Sequence, residues 1–258
     1  MTAIGARVGK AKVKLPGTKL PGINLSWGAI TDTGRKRSHN EDSFLAKPPI
    51  FAVADGMGGH AAGEVASDAV VRRLEELTSR PIVEPIELLG ALRAATADIG
   101  QALDEEHLGV GTTVTGAALV VSGGLAFWAV FNVGDSRIYF QNAQGLRQVT
   151  VDHSIVQEMV SAGMLKAEDA ENHPDSNVVT RAVGFNSEPL PDFWLVPVEV
   201  GSRLLICSDG LTKELSNDQI RKHLNRSHEP GAATEGLIHE AIEAGGRDNI
   251  TAIVVDVV

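Results

Sequence analysis

Four aspartates stand where runs of apolar residues begin or end. Asp55 closes the run 50–54 and is followed by three glycines in four residues. Asp135 follows Gly134 after the run 125–133, Asp209 follows residues 203–208 and precedes Gly210, and Asp248 with Asn249 precedes the run 250–257. One aspartate at a strand end is ordinary, because Asp favours turns. Four of them, each against an apolar run and beside Gly or Asn, point to strand ends gathered at one edge of a layered sheet. Ionised carboxylates converging there repel one another unless cations share them. Oxygen ligands without Cys or His select hard ions, Mg²⁺ or Mn²⁺, over zinc, and no Cys/His cluster in the chain has zinc spacing.

The elements that must hold these acids are legible from periodicity. Residues 49–67 read as a buried strand, an Asp-Gly turn and the start of a helix, in which Ala66, Ala69, Val70, Leu74 and Leu77 recur at helical spacing. The segment Gly56-Met57-Gly58-Gly59-His60-Ala61 also fits the dinucleotide fingerprint G-x-G-x-x-A. An ionised Asp55 at the edge of that loop would repel a pyrophosphate, and no series of alternating β and α units follows. Short strands at 25–31 and 44–46 bracket a polar segment, 33–42, in which Arg35, Lys36 and Arg37 precede Asn40, Glu41 and Asp42.

Residues 84–103 form a second amphipathic helix through Leu89, Leu92, Thr96, Ile99 and Leu103. The period then shortens, and 112–121, 125–133 and 136–140 read as an antiparallel meander. Residues 152–191 are polar, with a short helix opened by a capping box at Ser154 and Gln157 and an irregular flap after Gly163. A second box, Ser216 with Gln219, opens a helix to about 225, and 230–244 forms the last one. Two helices thus belong to each half of the chain, around a β core.

The 258 residues, 43% of them hydrophobic, suit one large domain, 24–258, preceded by a basic segment, 1–23. That segment carries Arg7, Lys10, Lys12, Lys14 and Lys19, no acid and two Pro-Gly pairs, and reads as a flexible arm: a solvated leader or a docking arm for an acidic partner. A net charge of −10 argues against nucleic acid as the main ligand. The lone Cys207 excludes an internal disulfide, and no apolar run of eighteen residues is present, so a cytoplasmic monomer without a membrane span is expected.

Six motifs carry a resemblance: Arg37-Ser38-His39-Asn40-Glu41-Asp42, Asp55-Gly56-Met57-Gly58-Gly59-His60, Gly111-Thr112-Thr113, Gly134-Asp135-Ser136-Arg137, Cys207-Ser208-Asp209-Gly210-Leu211 and Arg247-Asp248-Asn249. In order and spacing, over about 25–258, the chain resembles the bacterial type-2C (PPM family) metal-dependent serine/threonine protein phosphatases. The resemblance implies an α+β fold, a four-layer α/β/β/α sandwich of two antiparallel sheets packed face to face and flanked by helix pairs. It implies that Asp55 bridges two Mn²⁺ or Mg²⁺ ions, with the Gly56 carbonyl on one and Asp209 and Asp248 on the other. Glu41 and Asp42 would hold metal-bound waters, Arg37 would grip the substrate phosphate, and Asp135 with Asp209 would form a third metal site. A hydroxide shared by the core ions would attack phosphorus directly. Many eukaryotic relatives place a histidine where this chain has Met57, so the leaving-group acid is left to His60 or a metal-bound water, and His60 reads equally well as a helix-start polar residue. Phosphorylated proteins, among them serine/threonine kinases of the bacterial Hanks type and their substrates, are the implied partners.

Two rivals fit less well. A haloacid dehalogenase-type phosphatase needs a second aspartate two residues after its nucleophile, where Met57 stands. A non-catalytic phosphoprotein-binding module is expected to have lost metal carboxylates, whereas Asp55, Asp209 and Asp248 are all present.

Overall fold

Runs of β-branched and aromatic residues that pack on both faces build two sheets. The first contains β1 (Ala3–Gly5), β4 (Asp42–Lys47), β5 (Ile50–Met57), β7 (Val114–Ser122), β8 (Leu125–Val133) and β11 (Asp192–Pro197) in the order β1-β4-β5-β7-β8-β11, with the short β6 (Gly111–Thr112) on the end of β5. The second has the order β10-β9-β12-β13-β3-β2, from β2 (Val8–Val13), β3 (Ile23–Asp32), β9 (Arg137–Asn142), β10 (Gly145–Gln148), β12 (Arg203–Cys207) and β13 (Ile250–Val257). Neighbours are antiparallel except β1 and β4. The computed structural model describes all residues except 20–21, 59–60, 103–108 and 186–187.

Three apolar layers hold the sandwich together. Between the sheets, Phe51 of β5 stands edge-on to Trp27 of β3 at 5.5 Å and to Trp128 of β8 at 6.1 Å, joining the two sheets through one aromatic contact chain. Such pairs add about 0.5–1.5 kcal/mol each beyond the area they bury. Helices α1 (Ala61–Glu76) and α2 (Pro85–Ala102) cover the outer face of the first sheet through Val70, Leu74, Leu88 and Leu92. Helices α4 (Asp209–Thr212), α5 (Asn217–Arg226) and α6 (Pro230–Ala244) cover the second through Leu211, Ile220, Leu224 and Leu237. The four-layer α+β sandwich is therefore present. The flap contains α3 (Ile155–Ser161) and a 3-10 turn, Ala167–Asn172.

Four details differ from the sequence reading. The meander ends after two strands: β7 and β8 pair along their whole length, but β9 crosses to the other sheet and pairs with β12 and β10. Gly134, at φ 108°, makes the turn at that crossing. The basic segment is not a free arm. β2 pairs with β3, β1 pairs with β4, Trp27 donates its indole N–H to the Ala6 carbonyl, and Val13 and Leu15 are buried. Lys10 and Lys12 point to solvent while Ala11 and Val13 turn inward, so what reads as a charge run is a strand of period two. At Ser154 only half of the capping box forms, since its hydroxyl accepts from the Gln157 N–H, whereas at Ser216 and Gln219 both halves are made. Finally, β5 continues through Asp55 to Met57, and the expected helix residue Leu103 lies outside the described residues.

Candidate functional site

The acids meet where strands from both sheets end. Asp55 lies opposite Asp42 in the β4–β5 ladder, and its backbone is held from the other side by the Gly-Thr-Thr motif: Thr113 donates its N–H, and Thr112 its hydroxyl, to the Asp55 carbonyl, each at 2.9 Å. Two glycines allow the elements to come this close. A Cβ on Gly56 would sit 2.1 Å from the Gly63 carbonyl oxygen, and one on Gly210 would sit 2.0 Å from that of Asn249. The second contact presses the Asp209 turn against the Asp248 turn, since Asp209 opens α4 after β12 and Asp248 stands two residues before β13.

Asn249 ties the remaining motif to this corner. Its side-chain oxygen accepts from the Glu41 N–H at 2.9 Å, and its amide donates to the carbonyls of Thr33 at 3.0 Å and His39 at 2.9 Å. The loop carrying Arg37, Glu41 and Asp42 is thereby fixed against Asp248. Asp42 itself is fully buried, and its Oδ2 accepts from the hydroxyls of Ser208 at 2.9 Å and Thr251 at 2.5 Å.

The electrostatics report how tightly the acids converge. Burial, and then the charges of Asp42, Asp209, Asp135 and Asp248, push the Asp55 carboxyl well above the usual carboxylate range. Asp42 is pushed up to about 7 by burial and by Asp209 and Asp248, against the opposing pull of Thr251 and Ser208. Asp135 rises to about 7 through burial and Asp209, with Lys213 opposing. Asp42, Asp55 and Asp135, raised in this way, need positive charge nearby to keep them ionised near neutral pH.

Part of that charge comes from the chain. Arg37 forms a two-pronged ion pair with Asp248, Nε to Oδ1 and Nη2 to Oδ2 both at 2.8 Å, and Lys213 lies 2.5 Å from Asp209 Oδ2. With the acids so engaged, no three described His, Cys, Asp or Glu side chains close on a single point at metal-ligand geometry. The donor set still fits a hard cation. Oδ1 of Asp42 and Oδ1 of Asp209 are buried and accept no hydrogen bond, which is costly for a carboxylate oxygen unless a cation takes it.

These residues line a cleft of about 630 Å³ whose floor includes Glu41, Asp55, Asp135, Asp209 and Asp248. Arg37, with half its side chain exposed, stands at the mouth, and Ser176, Asn177 and Val179 of the flap form a wall. The structure thus brings Arg37, Glu41, Asp55, Gly56, Asp135, Asp209 and Asp248 around one cleft and places Asp42 beneath it. His60 lies outside the described residues, while Met57 lines the cleft. Arg137 lines the cleft too, but its guanidinium is engaged in a bidentate pair with Asp152, which also lines it. Sequence reasoning missed Lys213, one helical turn after Asp209, and the clamping role of Asn249. The four-residue spacing from Asp209 was the signal for the first.

The chain matches the family profile described as Protein phosphatase 2C over residues 33–243. It is 37% identical over 241 residues to a serine/threonine phosphatase, stp, of Listeria monocytogenes, covering 88% of this chain and 93% of that protein. Its fold is similar to the crystal structure of the Mycobacterium tuberculosis serine/threonine phosphatase PstP/Ppp, with a TM-score of 0.82 and 35% identity over 91% of this chain and 98% of that one. It is similar also to the catalytic domain of PstP in complex with two manganese ions, with a TM-score of 0.80 and 34% identity over 92% of this chain and 99% of that one. With six motifs in order, a four-layer sandwich and an acidic cleft at its edge, the chain belongs to the protein phosphatase 2C family of serine/threonine phosphatases.

Proposed function

We propose that this cleft hydrolyses phosphoserine and phosphothreonine on proteins with the help of two divalent cations, Mn²⁺ or Mg²⁺. The observation that carries the reading is the convergence of Asp42, Asp135, Asp209 and Asp248 on Asp55, each raising its proton affinity. Asp55, Asp209 and Asp248, with the Gly56 carbonyl, would hold the core ions, and Glu41 and Asp42 would accept hydrogen bonds from water around them. Bound there, the ions supply Lewis acidity, lowering the pKa of water toward neutrality and offsetting charge on the phosphoryl oxygens.

The chain's own residues do the rest. Arg37 exchanges Asp248 for two phosphoryl oxygens, its planar fork matching either partner, and keeps that contact as charge builds in the transition state. Asn249 keeps Arg37 in reach by holding both ends of its loop. The oxygen of water attacks phosphorus in line, the bond from phosphorus to the serine oxygen breaks, and that oxygen must gain a proton. Met57 has none to give, so the proton comes from water in the cleft or from His60. A third ion at Asp135 and Asp209 would meet Lys213 there.

The flap walls the cleft and would contact residues around the phosphorylated side chain. The substrates we propose are serine/threonine kinases of the bacterial Hanks type and their targets, acted on by a cytoplasmic monomer whose catalytic domain joins 24–258 with the strands β1 and β2 that pair onto it. No described helix is long and apolar enough to cross a membrane. The test is phosphate release from phosphothreonine peptides and from p-nitrophenyl phosphate by purified protein in Mn²⁺, in Mg²⁺ and in EDTA. Activity that survives EDTA would defeat the proposal.

A further inference from the structure

Lys213 lines the cleft beside Asp209, and the functional reading above gives it no task of its own. It follows the four-residue helix α4, with its own N–H donating to the Asp209 carbonyl at 2.8 Å, so the backbone directs its side chain back over the turn that carries Asp209. Its carbonyl is held in turn by Arg247 at 2.8 Å. The side chain is about one third exposed and lines the cleft, and its ammonium lies 2.5 Å from Asp209 Oδ2. Its next negative neighbours are Asp135 and Asp248. Asp135 in turn feels Asp209 as its main repulsive neighbour and Lys213 as the cation that offsets it.

A cation between two buried carboxylates relieves their repulsion whether it is a free ion or a tethered ammonium. The tethered one has no association entropy to lose, carries one positive charge instead of two and cannot be chelated away. We propose that Lys213 occupies, as a built-in cation, the place between Asp209 and Asp135 that a third divalent ion would take, so that this chain works with two bound ions. The inference rests on the metal reading of the site given above. A divalent ion entering beside Asp135 must either displace the ammonium or sit against it, and both cost affinity. Lys213 is thus a positioning and charge-balancing residue, and its removal must change how many ions bind.

The test is Mn²⁺ titration of the chelator-treated full chain at neutral pH, with bound ions counted by calorimetry and by the loss of the free Mn²⁺ paramagnetic resonance signal. Wild type is expected to bind two ions tightly. Lys213→Met keeps the length and apolar stem of the side chain without its charge. It should gain a third ion or tighten a weak one by at least about tenfold, and Asp135→Asn in that background should abolish the gain. Lys213→Arg, which keeps the charge, should stay at two. Three tight ions in wild type, or an unchanged count in Lys213→Met, would overturn this inference and leave the two-ion reading intact. Wild type that binds no Mn²⁺ would overturn the metal reading itself, and this inference with it.

Discussion

Replacing Asn249 with alanine tests whether the site depends on a clamp between the two sheets' loops. The side chain is 6% exposed and makes three hydrogen bonds to backbone groups of residues 33, 39 and 41. Each contributes about 0.5–1.5 kcal/mol, and the groups left behind include a Glu41 N–H that then lacks this partner, at a cost of about 1–3 kcal/mol if water cannot reach it. The sum is about 2–4 kcal/mol after partial rehydration. At about 2–4 °C per kcal/mol for a domain of this size, the melting temperature should drop on the order of 10 °C. The loop that loosens carries Arg37 and Glu41, so KM for a phosphopeptide should rise with little loss of fold by circular dichroism. Asn249→Asp keeps the acceptor for Glu41 but turns the two donor contacts into oxygen facing oxygen. It should be at least as unstable as Asn249→Ala. A shift in melting temperature below about 1 °C in both variants, with unchanged kcat/KM, would refute the clamp.

Three further outcomes follow from the charges and burial. The folded chain holds protons on Asp42 and Asp135 up to about pH 7, whereas unfolded aspartate releases them near its ordinary 3.8. In chelator, stability should therefore fall as pH rises from about 4 to about 7, and saturating Mn²⁺ should flatten or reverse that slope in thermal melts; a metal-free melting temperature that climbs across the window would contradict it. Cys207 is fully buried, and burial pushes its thiol up to about 12, so native protein at pH 8 should resist thiol reagents that label it at once in guanidinium; stoichiometric labelling of the native form would show the strand to be open. Arg37→Lys keeps the charge and loses the fork, and should lower kcat/KM at least about tenfold on phosphopeptides, while an unchanged value would remove Arg37 from the phosphate site.

The acids were legible because each combines two local signals, an apolar β run and an adjoining Gly or Asn, and those signals report where a strand stops. Helix α6 and strand β8 were read to the residue for the same reason: long unambiguous periods between clear breakers. What was lost was nonlocal. Nothing in Gly134-Asp135 says that β9 continues in the other sheet, because that choice is made by Ile138 and Phe140 packing between the sheets and by the β12 ladder. In Val8–Val13 the lysines and the nearby Pro-Gly pairs masked an alternation whose inward residues are only Gly, Ala and Val. Strand β11 hides after Pro191 as six residues with three exposed positions, at the edge of its sheet. Lys213 stands four residues after Asp209, but that spacing alone does not separate an ion pair from the solvated lysine ordinarily found on a short helix.

The central claim is that the carboxylates around Asp55 hold divalent cations against which phosphate is hydrolysed. The most direct measurement is anomalous scattering from crystals grown with Mn²⁺ and a phosphate analogue. Two manganese peaks are expected, both within ligand distance of Asp55 and one of them also reached by Asp209 and Asp248, with Arg37 turned onto the analogue. A map with no manganese at Asp55, from crystals of protein that hydrolyses phosphopeptides, would contradict the account.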